Sequence, residues 1–327
     1  MPLLQSKNRH PELVRTVSYP YRAHGARITK GGTHTLHSGS KNYGRHFAFV
    51  FIFGLLGFMF LTPGYNASPK TLGISAKAES SQTQPQEPPL KQLDFSVMKS
   101  QIDTKIKAYP LMDIGVAWVD MKTGETGTHG VELPFVAAST GKLFTAIAFL
   151  HDVENKHASL TDKVGTRDAK AALEAMIVES DNAAWNDFNN SVMSHKQLAE
   201  YAQSIGFADY NPDENTISPA SLAKLLNNLH QRRLLNDEHT NLLLSYMQQA
   251  KEVEYVTSIA PAGVKVFHKP GFLTDRVHDA MIIDNGDRPY VLVIFTKSST
   301  GSYNTKSGAD IFQAIARSTF DTFITAH

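Results

Sequence analysis

The chain has 327 residues, 42% of them hydrophobic, a formal net charge of +1 and no cysteine. This is enough apolar material for a sizeable core without covalent staples, and it excludes both a disulfide framework and a thiolate metal centre. The near-neutral total conceals a split: residues 1–46 carry Lys7, Arg9, Arg15, Arg22, Arg27, Lys30, Lys41 and Arg45 against the single acid Glu12, and the remainder is net acidic.

A basic arm over residues 1–46 would suit a nucleic-acid tail, but the adjoining segment points to a membrane instead. Phe47 to Leu61 is an unbroken apolar run, near the lower limit for a bilayer span and long for the core of a signal peptide. With Thr62 to Ala67 added, residues 47–67 read as a transmembrane signal anchor. Arg45 and His46 on its N-terminal flank place residues 1–46 in the cytoplasm and the rest of the chain outside it. The expected location is therefore the cell membrane, crossed once. A cleaved signal peptide is the competing reading, and Tyr65-Asn-Ala67 is a poor small-residue cleavage site for it. Residues 68–93 contain the polar run Glu79 to Leu90, which has too little apolar surface to pack and is expected to act as an extended tether.

From residue 94 to 327 the pattern becomes that of one folded domain. Apolar periodicity predicts a helix over Phe95–Ala108, a strand over Asp113–Asp120, a turn at Lys122-Thr-Gly124 and a second strand near Thr128. Helices follow over Thr140–Val153, Asp168–Val178, Ala183–Val192, His195–Ile205, Ser221–His230 and His239–Gln249. Strands return over Val264–His268, Asp279–Ile283 and Tyr290–Phe295, and a helix over Ala309–Phe323 closes the chain. Strands at both ends with helices between imply an α+β domain: an antiparallel sheet built from both ends, flanked by helices, with an inserted all-helical lobe.

Three short motifs carry chemistry. Ser139 and Lys142 are three residues apart at a predicted helix start, so one helical face brings a hydroxyl to an amine. Serine is a weak nucleophile until a base takes its proton, and a lysine serves as that base when burial and nearby cations lower its pKa. The spacing alone is weak evidence, since S-x-x-K also begins at Ser38, Ser96 and Ser221. It gains weight from Ser180-Asp-Asn182 between two helices and from Lys269-Pro-Gly271 at the end of a strand-like run. In that order these are the motifs of penicillin-binding proteins and class A β-lactamases. Over residues 93 to 327 the chain resembles the serine β-lactamase and penicillin-binding-protein superfamily, most nearly its class A branch. The stretches Gly115 to Glu125, Ser218 to Leu226 and Pro289 to Lys297 support the likeness.

The resemblance implies a site at the seam between sheet and helical lobe. In it Ser139 would be the nucleophile and Lys142 its base. Ser180 would relay a proton to the leaving nitrogen, Asn182 would orient Lys142 and the substrate amide, and Lys269 would supply positive potential. Gly271 belongs to the third motif, and the N–H of Phe272 would join that of Ser139 in holding the oxyanion.

Two departures limit the analogy. The middle residue of the third motif is usually a threonine or serine that holds the substrate carboxylate, whereas Pro270 has neither hydroxyl nor N–H. Arg276 or His278, expected on the next strand, would have to substitute. The interval from Asn182 to Ser218 is also short. Its non-helical part offers only Asp209, Asp213 and Glu214 as acids, none in the setting of a deacylating glutamate, so an acyl-enzyme is expected to persist.

The leading reading is a membrane-anchored, extracytoplasmic serine acyl hydrolase or transferase acting on cell-wall peptide of D-Ala-D-Ala type, or on a related amide or ester. One alternative is a class A-like β-lactamase with atypical deacylation, and another is a catalytically silent domain that binds cell-wall fragments. The expected partners are cell-wall peptide or a β-lactam-like small molecule, and the membrane through one N-terminal helix. Neither nucleic acid, metal nor cofactor is implied.

Overall fold

The computed structural model describes residues 92–325. The basic arm, the apolar run at 47–67 and nearly all of the polar tether lie outside the described residues. Among the described residues no helix is long and apolar enough to cross a membrane.

Helix α1 (Ser96–Lys107) leads into strand β1 (Met112–Asp120) and, through the turn at Lys122 to Gly124, into β2 (Thr126–Gly130). The ribbon β3 (Phe135–Val136) and a 3-10 turn (Ala138–Gly141) precede α2 (Lys142–Glu154). A small ribbon, β4 (Lys163–Val164) with β5 (Arg167–Asp168), opens the helical lobe, which continues with α3 (Ala169–Val178), α4 (Asn182–Ser191) and α5 (His195–Ser204). After β6 (Thr216–Ile217), which pairs with β3, come α6 (Pro219–His230) and α7 (Asp237–Gln248). Strands β7 (Lys265–Leu273), β8 (Arg276–Asp284) and β9 (Tyr290–Ser298) precede the closing helix α8 (Thr305–Phe323).

The main sheet has the order β2-β1-β9-β8-β7 and is antiparallel throughout. Both ends of the domain thus build one sheet, and the helices between them form the lobe expected from the sequence. Two apolar clusters divide around it. Trp118, Ile294, Ile315 and Phe323 lie with α1 and α8 on one face, whereas Val293 and Phe295 face the lobe with α2, α3 and α6. Helix α2 is buried from Lys142 through Leu150. This explains why Leu143 to Leu150 is apolar almost without interruption: a helix with no solvent face needs no amphipathic stripe.

Local chemistry sets the boundaries. Asp181 caps α4, accepting from the N–H groups of Ala183 (2.7 Å) and Ala184 (3.2 Å). Ser194 and Gln197 form a capping box on α5, and Ser218 caps α6 ahead of Pro219 at its first turn. The sequence reading differs from the fold at two places that matter for function. Ser139 lies in the 3-10 turn, with α2 beginning only at Lys142, and Lys269-Pro-Gly271 lies within β7, which runs on to Leu273. Pro270 is compatible with a strand because β7 is the sheet edge, where alternate N–H groups have no partner strand to reach.

Candidate active site

Two features hold Ser139 at the sheet edge. Ala138, just before it, has a φ of 51°, a left-handed conformation that costs a non-glycine residue energy and is found where function fixes geometry. Asn215, which precedes β6 with its own left-handed φ of 50°, braces the turn. Its Nδ2 donates to the Ala138 carbonyl at 2.9 Å, and its carbonyl accepts the Ala137 N–H at 2.7 Å. Gly141 faces the same asparagine, and a Cβ there would lie 2.1 Å from Asn215 Oδ1.

Lys142, one turn on, has no exposed surface. Its Nζ donates to Ser139 Oγ (3.1 Å), to the Ser180 carbonyl (2.6 Å) and to Asn182 Oδ1 (2.7 Å), and it approaches Ser180 Oγ at 3.4 Å and lies 5.5 Å from the centre of the Trp185 ring. The structure therefore brings the first two motifs together around one amine. Burial lowers the Lys142 pKa to about 8, against the charges of Glu252 and Asp181.

The third motif closes the arrangement. Lys269, also without exposed surface, donates to Ser180 Oγ at 2.9 Å and to the Pro270 carbonyl at 3.1 Å. Burial and then repulsion from Lys142 bring its pKa down to about 7, against Glu252 and Asp279. Ser180 Oγ lies between the two amines, at a backbone φ of 55°. Behind Lys269, His268 Nδ1 is 3.1 Å from both Asp279 oxygens. Burial pushes this imidazole down, but the adjacent carboxylate outweighs it and leaves the pKa raised.

Gly271 shows how closely strand and turn approach: a Cβ there would stand 3.0 Å from Ser139 N and 3.0 Å from the Ala137 carbonyl. A side chain at this position would push the edge strand away from the turn. Phe272 is 53% exposed, and its N–H alternates to the same edge as the nitrogen of Pro270. A carbonyl oxygen placed between Ser139 and β7 would find two N–H donors without any side chain.

Of the two residues expected to replace the missing hydroxyl of the third motif, His278 offers no free donor, whereas Arg276 is paired with Asp275 and keeps further N–H groups. His278 is wholly buried: its Nε2 donates to the Val136 carbonyl at 2.9 Å, its Nδ1 accepts the Thr296 N–H at 3.1 Å, and it stacks on Phe295. Burial lowers its pKa to about 4 and holds it neutral. It serves as a strut beneath β3 and is no substrate ligand. Arg276 shares that face of β8, but its Nε and Nη2 each lie 2.7 Å from an oxygen of Asp275.

The acids of the loop before α6 are placed as solvated or structural groups. Asp209 accepts from Ser218 Oγ at 2.6 Å, Asp213 faces His195 Nδ1 at 3.0 Å, and Glu214 is exposed. Sequence reasoning missed Asn215, and it missed Glu252, whose charge acts on both lysines. Neither lies in a motif. The available signal for Asn215 was an asparagine just before a short strand, a residue type that tolerates left-handed backbone.

The sequence model of the β-lactamase enzyme family matches residues 97–174 and 166–323. Among solved structures, PBP-A is similar at 23% identity, with 70% of this chain and 98% of that chain covered and a TM-score of 0.63. A β-lactamase from Chitinophaga pinensis DSM 2588 is similar at 20% identity, covering 70% and 99%, with a TM-score of 0.62. A mutant of the class A β-lactamase of the last common ancestor of Gram-negative bacteria is similar at 20% identity, covering 70% and 100%, with a TM-score of 0.63. No curated protein sequence matches the chain. The family match spans most of the chain, and the fold is shared with class A β-lactamases and PBP-A, so the chain belongs to the β-lactamase enzyme family.

Proposed function

We propose that the protein is a serine acyl hydrolase or transferase that works through a Ser139 acyl-enzyme. The observation that carries this reading is the Lys142 amine: buried, lowered to about 8, and 3.1 Å from Ser139 Oγ. In its neutral form Lys142 takes the Ser139 proton as Oγ attacks the substrate carbonyl. The Ser139 and Phe272 N–H groups stabilise the oxyanion. Ser180, bonded to Lys269 and within reach of Lys142, passes a proton to the leaving nitrogen or oxygen as its bond to carbon breaks. Water or an acceptor amine then takes the acyl group from Ser139. Asn182 holds Lys142 and aligns the substrate amide.

The substrate is cell-wall peptide of D-Ala-D-Ala type or a related amide or ester, and β-lactams acylate the same serine. A mutant of PBP-A has been solved as an acyl-enzyme complex with penicillin G, which supports a β-lactam as a probe here. Asp209 and Asp213 are engaged with Ser218 and His195, and this supports slow deacylation over efficient penicillin destruction. Residues 47–67 anchor the chain in the cell membrane, and residues 68–93 tether the domain on the extracytoplasmic side.

Incubating the full-length protein with a fluorescent penicillin, and following intact mass beside Ser139→Ala, tests the reading. A lasting adduct that is lost in the variant supports it. A transient adduct with drug turnover supports a β-lactamase instead. No adduct, together with no Ser139-dependent cleavage of peptides or esters, supports a silent binding domain.

A further inference from the structure

Helix α4 turns a polar face to α2. Asn182, Trp185 and Asn189 share one face by helical spacing, and all three meet residues of α2. Asn182 Oδ1 accepts from the Lys142 amine at 2.7 Å, the Trp185 indole N–H donates to Thr145 Oγ1 at 2.9 Å, and that hydroxyl donates to Asn189 Oδ1 at 3.4 Å. Lys142 and Thr145 are one turn apart and neither has exposed surface. Further along, the same helices meet through apolar groups, Phe149 against Phe188. The bond to Thr145 fixes the indole, whose face lies against the Lys142 amine with the ring centre at 5.5 Å.

The partners of the amine show what a ring does there. A protonated Lys142 has three N–H groups, and Ser139 Oγ, the Ser180 carbonyl and Asn182 Oδ1 take them. A neutral Lys142 has two, and a lone pair that needs a proton donor. The Ser180 carbonyl and Asn182 Oδ1 carry no proton, so they keep the two N–H groups, and the lone pair turns to a hydroxyl, Ser139 Oγ at 3.1 Å or Ser180 Oγ at 3.4 Å. Water is the competitor. It would donate to the same lone pair, and by hydrating the ammonium it would favour the charged form. Trp185 is partly exposed while the amine against its face is not, so the ring is the cover on that side. The charged groups that reach the amine come from other elements: Lys269 on β7, across Ser180 Oγ, Asp181 at the start of α4, held by Arg167 of β5, and Glu252 after α7. Replacing Trp185 leaves all of them in place.

We propose that Trp185 is a positioning residue of the acylation step: its indole closes the Lys142 amine off from water, so that the neutral amine takes its proton from Ser139 and not from solvent. This rests on the hydrolase reading and adds to it the group that keeps the base dry. The attraction between an ammonium and a ring face works in the opposite sense, but hydration favours the ammonium more strongly than one ring does. Removing the ring should therefore make the amine more basic.

The test follows Lys142 by NMR in the full-length protein, isotope-labelled at the lysine ε-carbons and with Lys142→Met to assign the signal. Beside it runs the rate of fluorescent-penicillin labelling as a function of pH. Trp185→Ala should move the Lys142 midpoint up by about one unit, which cuts the neutral fraction at pH 7, and with it the labelling rate, about tenfold. At about pH 9.5 the amine is mostly neutral in both proteins, and the two rates should agree within about threefold. Trp185→Gln, a good helix former that brings a polar group to the amine, should move the midpoint in the same direction, and Trp185→Phe, which keeps a ring, should restore it. A ring that only packs α4 on α2 would, when removed, slow labelling by one factor at every pH. That result, or a midpoint that Trp185→Ala and Trp185→Gln leave in place or lower, overturns the proposal. The wild type gives a second reading: its indole emission should change with the Lys142 midpoint, as the amine against the ring loses its charge, and should stay constant in Lys142→Met. Emission that ignores the midpoint, or that changes alike in Lys142→Met, overturns the proposal, and this reading decides if Trp185→Ala and Trp185→Gln lose the wild-type circular dichroism. If labelling does not depend on Ser139, the hydrolase reading fails on its own, while the NMR midpoints and the emission still decide whether Trp185 keeps the amine dry.

Discussion

Among the described residues, buried lysine and arginine side chains lie in two places and are treated differently. At the end of β1, Arg288 lies against Asp120 with Nη2 at 2.5 Å and Nε at 3.2 Å, and Asp120 also accepts from Thr123 and the Lys122 N–H. Burial pushes this carboxyl up, but the guanidinium and the added hydrogen bonds win and hold it below the usual carboxylate range. At the sheet edge, Lys142 and Lys269 are equally buried, yet their partners are hydroxyls, carbonyls and an amide. A charge that is fully matched is fixed and serves the architecture. A buried amine without a matched acid is pushed toward its neutral form, the form able to take a proton near neutral pH.

The largest expected effect breaks the second region. Lys142→Met should slow labelling by a fluorescent penicillin on the order of a thousandfold, as read by gel fluorescence over time, while the circular dichroism spectrum stays that of the wild type. Next comes the first region: Asp120→Asn should cost about 3–5 kcal/mol in urea unfolding, because it removes the carboxylate charge that faces a buried guanidinium, with the labelling rate of the folded protein within about twofold of wild type. Equal damage to both readouts in either variant would erase the contrast.

A smaller effect with the opposite sign separates the regions further. Lys269→Met should raise stability at pH 6.5 by about 1–4 kcal/mol even as labelling falls. The sign follows from the lowered pKa. Below about 7 the folded protein must bury a charge that the unfolded chain keeps in water, so the penalty is fully present there and fades as pH rises toward the ordinary lysine value. Acylation should depend on pH in the same sense. With Lys142 near 8, roughly a tenth of the amine is neutral at pH 7 and half at pH 8, so the labelling rate should climb through this range and then level off. Gly271→Ala should have the mildest effect on stability, about 1–3 kcal/mol, but should slow labelling by parting β7 from the Ser139 turn.

Much of this was legible in the chain. The helices and long strands follow from apolar periodicity and caps, as at Asp181 and Ser218, because these signals act within a turn or two. The three motifs gave the members of the site for the same reason: each is a short piece of sequence with its own local geometry. Pairing Lys142 with Ser180 across 38 residues was open only to resemblance, since no periodicity links them. His278 was misread for a physical reason. Strand alternation puts it on the lobe-facing side of β8 with Arg276, but whether that position opens to the groove or is sealed depends on Phe135 and Phe295, which pack against its ring.

Composition and pattern by themselves determined an α+β domain with a sheet drawn from both ends, a polar stretch and an apolar run ahead of it, and a serine one helical turn from a lysine. Only the tertiary structure decided that this lysine has lost all contact with solvent, that the edge strand lies against the Ser139 turn because Gly271 has no side chain, and that the charge of Glu252 reaches both amines. Local sequence sets dihedral preference and periodicity. Burial, which decides whether an amine is a bystander or a base, is a property of what the rest of the chain packs around it.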